Sequence, residues 1–121
     1  MELAILSDEI SLDLNEAFRF GEEFGFKKYE IRCMDDYGHR IPDLRPERMD
    51  RLEELVGNGS IEVTAVTPGV FKIDASDTDR VRAELEDILP RTCEAAKRLK
   101  APRIITFGVY AGTRCPTRYS R

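Results

Sequence analysis

The sequence predicts an α/β fold in which parallel strands alternate with helices, with about four strands and three helices in all. Short segments rich in β-branched and aromatic residues are followed by turn-forming residues and then by longer segments with apolar residues at helical spacing. Alternation of this kind gives a parallel sheet with right-handed crossover connections. The four predicted strands span residues 3–7, 28–33, 61–67 and 103–109.

The first helix follows a capping box, in which Glu16 stands three residues after Asp13. Gly25 is expected to end this helix, because glycine readily adopts the backbone conformation that follows a helix. Between these two signals, apolar or small residues recur on one helical face, which is predicted to meet the sheet. These residues are Leu14, Ala17, Phe18, Gly21 and Phe24.

The second helix is predicted to begin at Pro46, since proline suits a first helical position, and to end at the run Gly57-Asn58-Gly59. The third helix begins near Asp77 or Thr78, and Pro90 is expected to kink it because proline has no N–H to donate. Each helix carries an apolar stripe. The stripe of the second helix consists of Met49, Leu52, Leu55 and Val56. The stripe of the third consists of Val81, Leu85, Ile88, Leu89, Ala96 and Leu99.

Composition places the chain among ordinary globular domains. Of its 121 residues, 41% are hydrophobic and 35% are charged, which suits one domain and argues against disorder. No apolar run approaches the length of a transmembrane helix, and the acidic Met-Glu-Leu start does not resemble a signal peptide, so we expect a cytoplasmic protein. The net charge of −4 provides no basic surface for nucleic acid. We therefore expect neither membrane nor nucleic acid as a partner.

The three cysteines, Cys33, Cys93 and Cys115, are odd in number and far apart. None forms a Cys-x-x-Cys pair, which argues against both a disulfide framework and a zinc site. We predict reduced thiols, two of them buried.

The end of the chain differs in charge from its body. Residues 111–121 contain three arginines and no acidic residue, although the whole chain has 23 acidic residues. This segment also lacks a helical or strand period, so we predict a (βα)4-like domain over residues 1–110, which the family resemblance described below makes half-barrel-like, and an irregular basic tail over 111–121. The tail is either an ordinary flexible terminus or a truncated or frame-shifted end.

Polar residues at the carboxyl ends of the predicted strands are the candidates for function, because chemistry in parallel α/β sheets takes place there. In the second strand, Glu30 and Arg32 alternate with the apolar Tyr29 and Ile31, so the two pairs point to opposite faces. We expect the apolar pair to meet the helices and the charged pair to face the inner side of a curved sheet. The alternative is that Glu30 and Arg32 pair only with each other. Thr64 and Thr106 are predicted to face the same interior.

Lys72 follows the third predicted strand and is the candidate for contact with a substrate phosphate, with Phe71 as a pocket wall. An ordinary solvated lysine is the alternative. Asp8 and Glu9 follow the first strand, where they either take part in acid or metal chemistry or cap the start of a helix. Both readings stay open from the sequence.

His39, the sole histidine, lies in a polar loop with Asp35 and Asp36 after the second strand. A metal site needs several converging ligands, so solvated loop residues are favoured over a metal centre here. The sequence therefore names no metal ligand and no catalytic residue, and its substrate-binding candidates are Glu30, Arg32 and Lys72.

Four segments together resemble the sugar phosphate isomerase/epimerase family, the group of TIM barrels that are similar to xylose isomerase. The resemblance covers about residues 3–109 and depends on the order and spacing of the segments. They are Ile-Leu-Ser-Asp-Glu-Ile-Ser at 5–11, Tyr-Glu-Ile-Arg at 29–32, Thr-Pro-Gly-Val-Phe-Lys at 67–72 and Ala-Ala-Lys-Arg-Leu-Lys-Ala-Pro-Arg-Ile-Ile-Thr-Phe-Gly at 95–108.

The resemblance implies a barrel that shifts protons on a ketose or aldose, or its phosphate, with a divalent manganese, magnesium, cobalt or zinc ion. In that family the metal ligands come mainly from the second half of the barrel, and a complete barrel needs about 250 residues. This chain therefore resembles the amino-terminal half only. We expect it to bind no metal by itself and to show no turnover alone.

Two other classes of function share features with this sequence. A receiver domain has a similar length and an acidic pair like Asp8 and Glu9, but it needs a phospho-accepting aspartate where this chain has Ala65-Val66-Thr67-Pro68. A non-catalytic assembly module is the closer alternative, because an uncovered sheet face favours association by about 25 cal/mol per Å² of apolar area. The expected partner is a second copy of the chain or a complementary half-barrel.

Overall fold

The computed structural model describes residues 1–109, and the predicted tail at 111–121 lies outside the described residues together with Cys115. The described part is α/β, as the sequence predicts. Its strands are β1 Ile5–Leu6, β2 Lys28–Ile31, β3 Cys33–Met34, β4 Asp36–Arg40 and β5 Glu62–Val66. Its helices are α1 Ser7–Ile10, α2 Leu14–Glu23, α3 Pro46–Gly57, α4 Thr78–Ala83 and α5 Leu89–Arg98, with a π-helical segment Glu84–Ile88 between the last two.

Three of the strands form a parallel sheet in the order β1-β2-β5. The predicted fourth strand is not confirmed, because residues 103–109 contribute only one parallel bridge, between Val66 and Ile104. β5 ends at Val66, and Pro68 follows it without an N–H to continue a ladder. Residues beyond Ile105 therefore have no strand partner in the described part, and Thr106 is exposed rather than facing an interior.

A register shift between Tyr29 and Glu30 corrects the prediction for Thr64. Tyr29 is aligned with Val63, whereas Glu30 is aligned with Ala65, so Thr64 is bulged out of the ladder. Its hydroxyl donates to the backbone carbonyl of Tyr29 at 3.2 Å. Ala65 thus takes the place beside Glu30 that the alternation predicts for Thr64.

The predicted start of α2 is confirmed. The Asp13 carboxylate accepts a hydrogen bond from the Glu16 N–H at 2.8 Å, which satisfies one of the free donors of the first turn. The Glu16 side chain binds the Ser11 hydroxyl at 3.0 Å instead of returning to Asp13. Phe24 was predicted to face the sheet, but it lies at the helix end, is 64% exposed and stacks on Phe20.

The predicted third helix consists of α4, the π-helical segment and α5. A five-residue π-helical segment interrupts the α-helical pattern just before Pro90 and directly precedes α5, whereas the kink expected at Pro90 stays a prediction. The predicted apolar stripe is not buried along its whole length, since Leu85 in the π-helical segment is exposed. Below the interruption, Ala95, Ala96 and Leu99 are buried against the sheet side of the molecule.

The core lies between the sheet and the helices α2, α3 and α5. Tyr29 and Ile31 are buried there, as alternation predicts, and the Tyr29 ring meets Phe18 edge to face at a centroid distance of 4.7 Å. Leu52 from α3 and Leu99 from the end of α5 complete the centre of this cluster. Within residues 1–109, no helix is both long and apolar enough to cross a membrane.

The antiparallel pair β3 and β4 was not predicted. It occupies the place where the sequence suggests only a polar loop, and its turn contains Asp35 with a φ of 70°. The carboxylate of Asp35 lies between Arg45 and Arg48. The backbone N–H of Asp35 donates to the carbonyl of Leu12 at 2.8 Å. These contacts fix the hairpin beside the end of β2.

Candidate functional site

The carboxyl ends of β1, β2 and β5 bring together polar residues that are far apart in the sequence. Asp8 and Glu9 follow β1 in the short helix α1, Arg32 follows β2, and Thr67 follows β5. Because the three strands are parallel, these residues lie at the same end of the sheet. This is the end where α/β folds carry their ligands.

Arg32 forms an ion pair with Asp8 rather than with Glu30. Its Nε donates to Oδ2 of Asp8 at 3.0 Å, Nη2 donates to the same oxygen, and Nη2 also reaches Oε1 of Glu9 at 3.3 Å. The Asp8 side chain is fully buried, whereas 27% of the Arg32 side chain is exposed. Hydrogen bonding to Asp8 raises the pKa of Arg32 above its ordinary value, so the guanidinium remains charged.

Glu30 has a different partner. Its carboxylate accepts a hydrogen bond from the hydroxyl of Thr67, which is buried at the end of β5. The two candidates on β2 are therefore held by separate neighbours. The reading in which Glu30 and Arg32 pair only with each other is wrong.

Two buried polar side-chain atoms of α1 have no hydrogen-bond partner among the described residues. They are Oγ of Ser7 and Oδ1 of Asp8, on adjacent residues at the start of α1. Buried polar groups are nearly always hydrogen-bonded, so this pair leaves unused bonding capacity next to Arg32. Sequence reasoning missed Ser7, because a lone serine after a strand carries no distinguishing signal.

Cys33 lies beside this network but is a poor nucleophile. Its side chain is fully buried, and burial together with the Asp8 carboxylate raises the pKa of the thiol. A thiol with a raised pKa stays protonated at neutral pH and is chemically inert. Cys33 and Cys93 are both free, as predicted, although Cys93 is only partly buried.

Lys72 lies in the loop after β5, away from the partners of Glu30 and Arg32. Its Nζ is 4.2 Å from the centre of the Phe107 ring, a cation–π contact. The preceding Phe71 has a φ of 68°, and its N–H donates to the carboxylate of Glu84 in the π-helical segment. Contact between Lys72 and a substrate phosphate stays a prediction.

His39 and Asp36, at the two ends of the segment Asp36–His39 of β4, bind each other. Nδ1 of His39 is 2.8 Å from Oδ2 of Asp36, whose other oxygen accepts from the N–H groups of Gly38 and His39. Hydrogen bonding to His39 lowers the pKa of Asp36. Within residues 1–109, no three or more His, Cys, Asp or Glu side chains are arranged to hold a metal ion.

A groove among the described residues lies elsewhere. It has a volume of about 600 Å³ and opens between α2 and α3, where Phe26, Lys27 and Ser60 precede β2 and β5. This is the amino end of the sheet, opposite Asp8 and Arg32. Its lining contains one acidic side chain, Glu22, and three basic side chains, Arg19, Lys27 and Arg51.

Comparisons with protein families, curated proteins and solved structures found no match to this chain. The resemblance to sugar isomerases and epimerases therefore stays a prediction from the sequence.

Proposed function

We propose that the carboxyl end of this sheet binds a sugar or sugar phosphate, and that the chain acts as the amino-terminal part of an isomerase- or epimerase-like barrel. The observation that carries the proposal is the pair of fixed networks at this end, Arg32 with Asp8 and Glu9, and Glu30 with Thr67. Carboxylate acceptors lie there next to guanidinium and hydroxyl donors.

Such an arrangement suits a polyhydroxylated ligand. Each sugar hydroxyl both donates and accepts, so neighbouring hydroxyls match a carboxylate next to a guanidinium. The half-buried position of Glu30 and Arg32 strengthens hydrogen bonds relative to open solvent. Glu30 and Arg32, which are both only partly buried, would orient the sugar.

The proposed role stops at binding. In the family that the sequence resembles, a divalent metal polarises the sugar carbonyl or hydroxyl while a carboxylate moves the proton. Residues 1–109 contain no three converging ligands for such an ion. We therefore propose that this chain orients a sugar and that turnover needs groups beyond those residues.

The first prediction concerns sugar binding. Titrating the full chain with a panel of ketoses, aldoses and their phosphates, followed by calorimetry, is expected to give saturable binding that Glu30→Gln weakens. Glu62→Gln is the matched control, because Glu62 is an exposed carboxylate at the amino end of β5. The absence of saturable binding across the panel, or an equal loss with both variants, would contradict the proposal.

The same samples test the absence of turnover. With manganese, magnesium, cobalt or zinc in deuterated water, we expect no deuterium at the carbon next to the sugar carbonyl. Incorporation that disappears in Glu30→Gln would show that the chain does catalyse.

A second candidate function, assembly with another chain, is favoured by a row of exposed apolar side chains. Ile105, Phe107 and Val109 are 37–43% exposed on a segment that lacks a strand partner in the described part. Apolar side chains at an unpaired sheet edge favour association. We propose a homo-oligomer or a complementary half-barrel chain as the partner.

Light scattering tests this second candidate. We expect the purified chain to exceed its monomer mass of 13.8 kDa, and Phe107→Asp to shift it toward the monomer. Phe24→Asp provides the control, because Phe24 is even more exposed but lies just after α2, away from the segment at 105–109 in sequence. A monodisperse 13.8 kDa species that binds no hydrophobic dye would refute assembly.

A further inference from the structure

Arg40, the last residue of β4, is a half-buried cation that has no acidic partner among the described residues. Within residues 1–109, no carboxylate lies within ion-pair distance of its guanidinium, and its Nε is buried without a hydrogen bond. Other arginines of the chain do have acidic partners. They include Arg32, Arg45, Arg48, Arg91 and Arg98.

The backbone places Arg40 at the same end of the sheet as the candidate site. Arg40 is aligned with Cys33 in the hairpin, and the next residue, Ile41, donates its N–H to the carbonyl of Arg32 at 2.9 Å. Arg40 therefore lies directly beside the end of β2.

The Arg40 guanidinium packs over Gly69 in the loop that follows β5. A Cβ at position 69 would overlap Nη1 of Arg40 and come within 3.2 Å of Cζ, and Gly69 also has a φ of 74°. Only glycine combines this backbone conformation with room for the guanidinium. The fold thus holds the cation between the hairpin and the loop after Thr67.

A guanidinium stays protonated at every physiological pH, so burial cannot neutralise it. A partly buried charge without a partner is unfavourable, and charges in such positions are normally paired. The planar fork of N–H donors matches the oxygens of a phosphate or carboxylate group. We infer that Arg40, positioned over Gly69, is an oxyanion-binding site that takes the phosphate or carboxylate group of a ligand.

This inference rests on the proposed function in one respect, since it assigns the anionic end of the proposed sugar ligand to Arg40 and its hydroxyls to Glu30 and Arg32. The phosphate contact predicted for Lys72 stays a separate prediction. The anion site itself depends only on Arg40 and Gly69.

The test measures binding of inorganic phosphate, acetate, glucose and glucose 6-phosphate to the full chain by calorimetry. Arg40→Gln is expected to weaken phosphate and glucose 6-phosphate by about tenfold or more, the effect of losing a hydrogen bond to a charged group. Arg82→Gln removes the same formal charge from a side chain that is 75% exposed on α4, and it is expected to change nothing. Gly69→Ala keeps the charge but displaces the guanidinium, so it should also weaken phosphate.

Circular dichroism and thermal melting establish whether each variant is folded. If Arg40→Gln does not fold, phosphate binding to Gly69→Ala tests the anion site in its place. Equal phosphate affinity in the wild type and the folded variants, or an equal loss in Arg82→Gln, would overturn the anion site. Tighter binding of phosphate than acetate assigns a phosphate ligand, and the reverse assigns a carboxylate.

The glucose arm separates this inference from the proposed function. Unchanged glucose binding in Arg40→Gln, with glucose 6-phosphate weakened, supports both proposals. Phosphate binding that depends on Arg40, in a chain that binds no sugar, supports the anion site and refutes the sugar ligand. Sugar binding that depends on Glu30, with phosphate insensitive to Arg40, refutes the anion site alone.

Discussion

Replacing Arg32 with methionine is expected to lower the free energy of unfolding by about 3 kcal/mol or more, because it leaves the Asp8 carboxylate without its charged partner. The Asp8 side chain is fully buried, and both of its hydrogen bonds to the described residues come from Arg32. An unpaired carboxylate in that position has neither water nor a donor to replace the guanidinium. Urea denaturation of the two proteins measures the difference.

A double-mutant cycle identifies the ion pair as the cause. Asp8→Asn in the Arg32→Met background removes the stranded charge, so the double variant should be more stable than the sum of the single losses predicts. Arg98→Met is the control, since Arg98 pairs with the exposed Asp50 and Glu53 and surface pairs contribute at most about 1 kcal/mol. If Arg32→Met costs no more than Arg98→Met, the pair does not stabilise the fold as described.

Gly21→Ala is expected to lower the free energy of unfolding by about 2 kcal/mol, although alanine normally favours a helix over glycine by up to about 1 kcal/mol. A Cβ at Gly21 would overlap the hydroxyl of Tyr29 and approach Cζ within 2.8 Å. Tyr29 is buried against Phe18, so its ring has little room to move. Thermal or urea denaturation measures the loss.

Gly57→Ala is the matched control for this substitution. Gly57 is the last residue of α3, and no atom lies within 4 Å of a Cβ built there, so the change should stabilise the protein by up to about 1 kcal/mol. In the Gly21→Ala background, Tyr29→Phe should recover part of the loss by removing the clashing hydroxyl. Equal effects at Gly21 and Gly57 would contradict close packing of α2 on Tyr29.

The features that the sequence predicts correctly depend on residues close together in the chain. The Asp13 cap of α2 and the start of α3 at Pro46 arise from neighbours within one helical turn. The burial of Tyr29 and Ile31 follows from the strict alternation of a strand. Such signals need no knowledge of distant contacts.

The missed features depend on partners that lie far away in the sequence. The hairpin turn at Asp35 is held by Arg45 and Arg48, and the residues around it form no turn motif from which it could be predicted. In the same way, Arg32 pairs with Asp8 across 24 residues and not with its neighbour Glu30. Choosing between such partners requires the sheet order, which periodicity alone does not provide.

The prediction that Phe24 faces the sheet is wrong, and the predicted strand at 103–109 is not confirmed. Both outcomes have a different cause. Phe24 and this segment have the composition of buried elements, yet Phe24 lies past the last turn of α2 and residues beyond Ile105 have no strand partner in the described part. Apolar character indicates a tendency to be buried, but the available neighbours decide whether burial occurs.

The π-helical segment before Pro90 changes which side chains the third helical region directs at the loop after β5. A π turn accommodates one extra residue, and each residue of a helix advances its side chains by about 100° around the axis. With the turn present, Glu84 binds the N–H of Phe71, two residues after Gly69, while Leu85 is exposed. The π-helical segment thus offsets the angular phase of α4 from that of α5, and the loop that carries Gly69 is anchored to this helical region through the carboxylate of Glu84.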